Sequence, residues 1–267
     1  AVGIGLVTVM STGRGWFRVP ETIRVELSGT LPAGVMSRDL AQWIAHQIGY
    51  ERGDYRCIEF AGDLVDRASE DARHTLCNAM VDLGCKAAVC AVSADGWVQS
   101  DPDAVFAEVL ELDVSSLEPQ ISVPPDPENV RPIGEVVGRA ITHAFVGSCI
   151  GGKLEDLRAA AAVLRGRRVA DGVRMIVIPA TQAIHRQALA EGLMATFAEA
   201  GAVTAAGICG PCYGTFAPLG DGDVSIGTPT RNDPGRMGSE QATIYIANAA
   251  VVAASAVHGR ITDPRGL

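Results

Sequence analysis

The sequence predicts an α/β protein built as two three-layer domains with mainly parallel sheets, on three observations. At 267 residues the chain exceeds what one hydrophobic core comfortably serves. Short apolar or alternating runs take turns with longer runs of helical period, the pattern of an α/β layer. Pro119, Pro124, Pro125, Pro127 and Pro132 then crowd a stretch with little period. The expected division is residues 1–118, a proline-rich linker at 119–132, and 133–267, with the linker extended and unable to join a central sheet.

In chain order, "TIRVELSG" alternates through Ile23, Val25 and Leu27, a half-buried strand. "SRDLAQWIAHQIG" spaces Leu40, Ile44 and Ile48 as a helix, with Ser37 as N-cap and Gly49 as stop. A strand near "YRCIEF", a helix from Ser69 towards Gly84 and a fully apolar strand "AAVCAV" follow. Beyond the prolines come the strand "ITHAFVG", a helix over about 153–165 with Glu155 and Asp156 in its first turn, the strand "RMIVIPA" and a helix from Thr181. "ATIYIANAAVVAASAVHG" predicts one buried helix ending at Gly259.

Composition removes several functions. A net charge of -9 opposes a phosphate-binding surface, so no nucleic-acid partner is expected. No uninterrupted apolar run is long enough to span a bilayer, and the apolar start lacks the basic region of a signal peptide. Seven cysteines, an odd number, favour a reducing compartment, here the cytoplasm, over a disulfide framework. Cys57, Cys77, Cys85 and Cys90 read as buried small hydrophobes.

Cys149, Cys209 and Cys212 differ, because glycines surround them. A bare CxxC suits a redox pair, half of a zinc site or part of an iron–sulfur ligand set. Only a three-cysteine site uses Cys149, which follows a strand at the edge where open α/β sheets bind ligands. Three thiolates would hold three corners of a [4Fe–4S] cube and leave one iron open as a Lewis acid.

"VGSCIGGKLEDLRAAAAVL", "CGPCYG", "TRNDPGRMGS" and "ITDP" occur in an order that resembles the aconitase superfamily, in particular large subunits of the 3-isopropylmalate dehydratase, homoaconitase and dimethylmalate dehydratase type. "WFRVPETIRVELSGTLPAGVMSRDLAQWI" and "HTLCNAMVDLG" extend the resemblance over nearly the whole chain. It implies a [4Fe–4S] cluster held by Cys149, Cys209 and Cys212, substrate binding by Arg231, Arg236, Ser148 and Thr230, and Asn78 and Asp82 near the open iron. It also implies a hydro-lyase that dehydrates and rehydrates a hydroxy-dicarboxylate. The catalytic base would come from another chain, a small swivelling subunit. The family's first domain is expected to end near residue 17, leaving this chain as aconitase-like domains 2 and 3, with a separate N-terminal-half chain as a possible partner.

The motifs also depart from the family. Ile150 and Gly151 stand where a Thr and an Asn are usual, Thr230 replaces an Asn, Asp233 an aromatic, and Asp82 a Glu. Each change removes or moves a polar group beside the cysteines. They raise the alternative of a noncatalytic or regulatory subunit that keeps the fold for assembly.

Overall fold

A computed structural model describes residues 4–92 and 100–267. Its first unit runs α1 (Ile4–Thr12), β1 (Thr22–Ser28), α2 (Ser37–Ile48), α3 (Tyr50–Gly53), β2 (Cys57–Ala61), α4 (Asp63–Arg67), α5 (Glu70–Ala79), β3 (Ala87–Cys90) and β4 (Glu108–Asp113). The four strands lie in the order β3-β2-β1-β4, all parallel. The alternation in β1 buries Ile23, Val25 and Leu27 on one face, against which α2 sets Leu40, Ala41, Ile44 and Ile48. Ser69 caps α5 by accepting from Ala72 N at 3.0 Å.

Two expectations need correction here. Met36, not Ser37, is the N-cap of α2: Asp39 Oδ2 accepts from Met36 N (2.7 Å), while Ser37 Oγ donates across the molecule to Glu155 Oε1 (2.6 Å). β3 is an edge strand, so Ala87 and Val89 are exposed, and Cys57, Cys77, Cys85 and Cys90 are half-buried rather than buried.

The second unit contains β5 (Gln120–Ser122), β6 (Val130–Pro132), β7 (His143–Val146), α6 (Ser148–Gly151), α7 (Leu154–Leu164), β8 (Arg174–Val177), α8 (Gln182–Ala190), α9 (Leu193–Glu199), β9 (Val203–Thr204), β10 (Val224–Gly227), β11 (Thr243–Ala247) and α10 (Ala249–His258). Its strand order is β6-β5-β11-β10-β7-β8-β9. From β11 to β9 the neighbours are parallel, and β5 and β6 add an antiparallel margin. The α/β class with mainly parallel sheets therefore holds.

The proline-rich stretch is not a free linker. β5 contains no proline and pairs with β11, and β6 ends in Pro132 at the sheet edge, where a missing donor is tolerated. Nor is the last apolar segment one helix. The branched and aromatic run of β11 ends at Asn248, whose side chain accepts from Val251 N (2.8 Å) and starts α10.

α2 also forms the seam between the units. Gln42 Nε2 donates to Ser122 Oγ (2.6 Å) and Ile246 O (3.1 Å), and Asp39 accepts from Gln120 N (2.8 Å) and Asn248 Nδ2 (2.7 Å). Among the described residues, no helix is long and apolar enough to cross a membrane.

Candidate active site where three strand ends meet a helix of the first unit

Three loops leave the carboxyl ends of β7, β9 and β10 and carry most of the candidate residues: Ser148 and Cys149, then Cys209 and Cys212, then Thr230, Arg231 and Arg236. Carboxyl strand ends are where open α/β sheets gather ligands. α5 and the turn after it bring Asn78 and Asp82 from the other unit.

The Cys149 turn is held from every side. Ser148 has a left-handed backbone (φ 83°), and its hydroxyl donates to Thr228 O (2.7 Å) while accepting from Gly151 N (3.0 Å). Thr228 Oγ1 accepts from Gly147 N (2.8 Å) and lies 2.9 Å from Gly151 O. A Cβ at Gly151 would stand 2.3 Å from Thr228 Cβ, so with Thr228 in place this position admits no side chain. The Cys149 carbonyl accepts from Lys153 Nζ (3.1 Å) and Asn78 Nδ2 (3.4 Å), which leaves its thiol exposed.

Cys212 lies on a single 3-10 turn, Gly210–Tyr213, and is buried with Phe145, Ile178 and Met237. Its Sγ is 3.8 Å from Thr230 Oγ1, and its carbonyl accepts from Arg236 Nε (3.1 Å). Arg236 also stacks on Tyr213, 4.9 Å from the ring centre. Cys209 is exposed at the start of the same turn. Burial, with the neighbouring Cys212 and Cys149 thiols, raises its pKa against the opposing pull of Arg236. The three thiols are thus electrostatic neighbours. Among the described residues, no three His, Cys, Asp or Glu side chains are gathered tightly enough for a single metal ion.

Asp82 sits among arginines. Burial pushes its carboxyl up to about 6, while Arg38, Arg231 and Arg236 pull it down. Arg231 Nη1 is 3.7 Å from Asp82 Oδ1, but the guanidinium fork is occupied by Asp233, at 2.7 and 2.9 Å. A carboxylate ligand would have to displace Asp233 to take Arg231 in the same bidentate way.

Sequence reasoning missed Arg38 and Gln42, one turn apart on α2. Arg38 is buried and its Nη2 donates to Pro229 O (2.6 Å), while Nε and Nη1 have no partner, and neither does Gln42 Oε1. They line a small cavity of about 30 Å³ with Asp82, Ile150, Thr230 and Ile246, roughly the space of one water. A larger cleft of about 380 Å³, lined by Leu31, Met36, Leu64, Ala68 and Leu76 among others, holds none of the predicted site residues.

Compared with known proteins, residues 1–97 and 134–259 match the Aconitase family (aconitate hydratase). The 3-isopropylmalate dehydratase large subunit 1 of Methanopyrus kandleri is 42% identical over 282 residues, covering 99% of this chain and 68% of its own length. The 3-isopropylmalate dehydratase large subunit of Oleidesulfovibrio alaskensis is 45% identical, covering 100% of this chain and 68% of its own. The probable 3-isopropylmalate dehydratase large subunit of Methanothermobacter thermautotrophicus is 43% identical at the same coverage.

Proposed function

The chain belongs to the aconitase family, and from that premise we propose that it is the cluster-holding and substrate-gripping part of a hydro-lyase that dehydrates and rehydrates a hydroxy-dicarboxylate of the 3-isopropylmalate kind. The observation that carries this reading is the placing of Cys149 after β7 and of Cys209 and Cys212 after β9, at the carboxyl ends of two strands of one parallel sheet, near enough for the other two thiols to add to the effect of burial in raising the pKa of Cys209. Three thiols with one coordination position left over suit three corners of a [4Fe–4S] cube, whose irons are held by cysteine thiolates. When bound, such a cluster supplies a Lewis-acidic iron.

The residues of this chain then have distinct tasks. Ser148, Thr228 and Lys153 fix the turn that presents Cys149. Thr230 borders Cys212, and Arg231 and Arg236 bind substrate carboxylates, Arg231 after exchanging Asp233 for the ligand. Asn78 and Asp82 face the reacting hydroxyl. With its pKa near neutrality, Asp82 can hold or release a proton there. The base that takes the substrate's carbon-bound proton belongs to a small subunit of a cytoplasmic enzyme.

The occupied fork of Arg231 favours a second reading, a noncatalytic subunit kept for assembly. Anaerobic reconstitution with iron and sulfide tests the first: the wild-type chain turns brown and binds iron and sulfide in equal amounts, and Cys149→Ser, Cys209→Ser and Cys212→Ser each lose the colour. Colourless wild-type protein overturns the cluster. A brown protein that stays inactive with its partner chains present supports the second reading.

A further inference from the structure

Away from the three-cysteine site, four more thiols share one seam of the first unit: Cys57 on β2, Cys77 on α5, Cys85 after the turn that follows α5, and Cys90 at the end of β3. Two of them touch. Cys77 Sγ lies 3.6 Å from Cys90 Sγ, and Cys90 Sγ lies 3.9 Å from Arg73 O. Both residues are half-buried.

The pair is also asymmetric. The contact with Cys90 lowers the Cys77 pKa against the opposing effect of burial, and the same contact, together with burial, raises that of Cys90. At Cys57 and Cys85 burial prevails: it pushes Cys57 up despite a hydrogen bond from the Thr22 hydroxyl, and Cys85 to about 12. Because the thiolate is the reactive form, Cys77 is the thiol of this seam poised to react, with a second sulfur already in contact.

We propose that Cys77 and Cys90 form an oxidisable thiol pair that a hydroperoxide converts into an intrachain disulfide. The Cys77 thiolate attacks one peroxide oxygen and the O–O bond breaks, giving a sulfenic acid at Cys77 and water or an alcohol. Cys90 sulfur then attacks the Cys77 sulfur, the S–S bond forms, the S–O bond breaks, and hydroxide leaves with the Cys90 proton as water. Two thiols lose two electrons and the peroxide gains them. A dithiol reductant reverses the reaction by exchange.

The bond requires the sulfurs to close from 3.6 Å to ~2 Å. That movement draws the end of α5 towards β3. Asn78, the next residue, donates to the carbonyl of Cys149, so the pair is coupled mechanically to the turn that presents that cysteine.

Hydrogen peroxide treatment of the whole chain, followed by alkylation of the remaining thiols and tryptic mapping, tests this. The expected product joins peptide 74–86 to peptide 87–139, because trypsin leaves the Arg131–Pro132 bond intact, and it is lighter by two hydrogens than the separate thiol peptides and released by dithiothreitol. Peptide 74–86 contains both Cys77 and Cys85, so fragmentation of the linked wild-type product assigns the bond without any variant. The link persists in Cys85→Ser and disappears in Cys77→Ser and Cys90→Ser. A bond assigned to Cys85, or Cys77 recovered alkylated or as sulfinic acid without a link to Cys90, overturns the proposal.

Discussion

Arg38 and Asp39 are neighbours in the first turn of α2, both buried at the seam between the sheets, yet their polar atoms are treated in opposite ways. The Asp39 carboxylate accepts from Met36 N, Gln120 N and Asn248 Nδ2, and so ties together the starts of α2, β5 and α10. Arg38 makes one bond, to Pro229 O, and leaves two donors unmet beside Asp82 and Thr230. Buried polar groups in a structural junction are satisfied, and the unpartnered atoms of Arg38 and Gln42, which line one cavity, mark a place where something besides packing decides the residues. The difference separates what holds the two units together from what the candidate site keeps open.

The largest effect belongs to the satisfied side. Asp39→Ala removes the acceptor of buried Gln120 N, of part-buried Met36 N and of Asn248 Nδ2, which keeps Gly34 O, and at ~1–3 kcal/mol for each unmet group the loss should reach about 4 kcal/mol, read as a lower denaturation midpoint. A loss below ~1 kcal/mol would mean that the seam is not the junction described.

Asp156 gives the next effect and sets its pH dependence. Burial pushes its carboxyl up to about 7, with Glu155 adding to the shift, while its Oδ2 accepts from Lys153 N at 3.0 Å. A carboxyl whose pKa is raised on folding binds more protons when folded, so its contribution to stability is complete below about 4 and is lost as pH rises towards 7. Asp156→Asn keeps an acceptor for Lys153 N and removes the titration. Its stability relative to wild type should therefore improve between pH 4 and pH 7, by on the order of 2–4 kcal/mol. A pH-independent difference between the two proteins would show that Asp156 does not titrate in this range.

Much of this arrangement was legible in the residues. β1, α2 and α7 were readable because one face of each is apolar at the right period, and the glycine-flanked cysteines stood out from the other four. β11 was not readable: its apolar run continues into α10, and two buried elements in succession erase the period that would separate them. β10 is a short strand without a marked signal, and β4, though six residues long, sets acidic residues among its apolar ones. The site was legible through its cysteines and arginines, whereas Arg38 and Gln42 resembled the wet face of an amphipathic helix. Their i, i+4 spacing alongside the apolar stripe was the available signal that this face is covered too. The exclusion of any side chain at Gly151 depends on Thr228, 77 residues further on, and no local pattern carries it.

The smallest effect falls on Arg38. A buried guanidinium without a contacting carboxylate has lost its hydration for one hydrogen bond, and burial alone lowers its pKa. Arg38→Met keeps the length of the stem and removes the charge. It gives up the bond to Pro229 O and recovers the cost of burying a cation, so the net change in unfolding free energy should stay within ~1 kcal/mol. Asp82 should respond more clearly. Arg38 is the strongest influence holding that carboxyl down, so its pKa should rise above about 6 in the variant, as followed by carboxyl chemical shifts against pH. A large loss of stability with an unmoved Asp82 would reverse the contrast, making Arg38 part of the junction and leaving Asp39 as merely its better-satisfied neighbour.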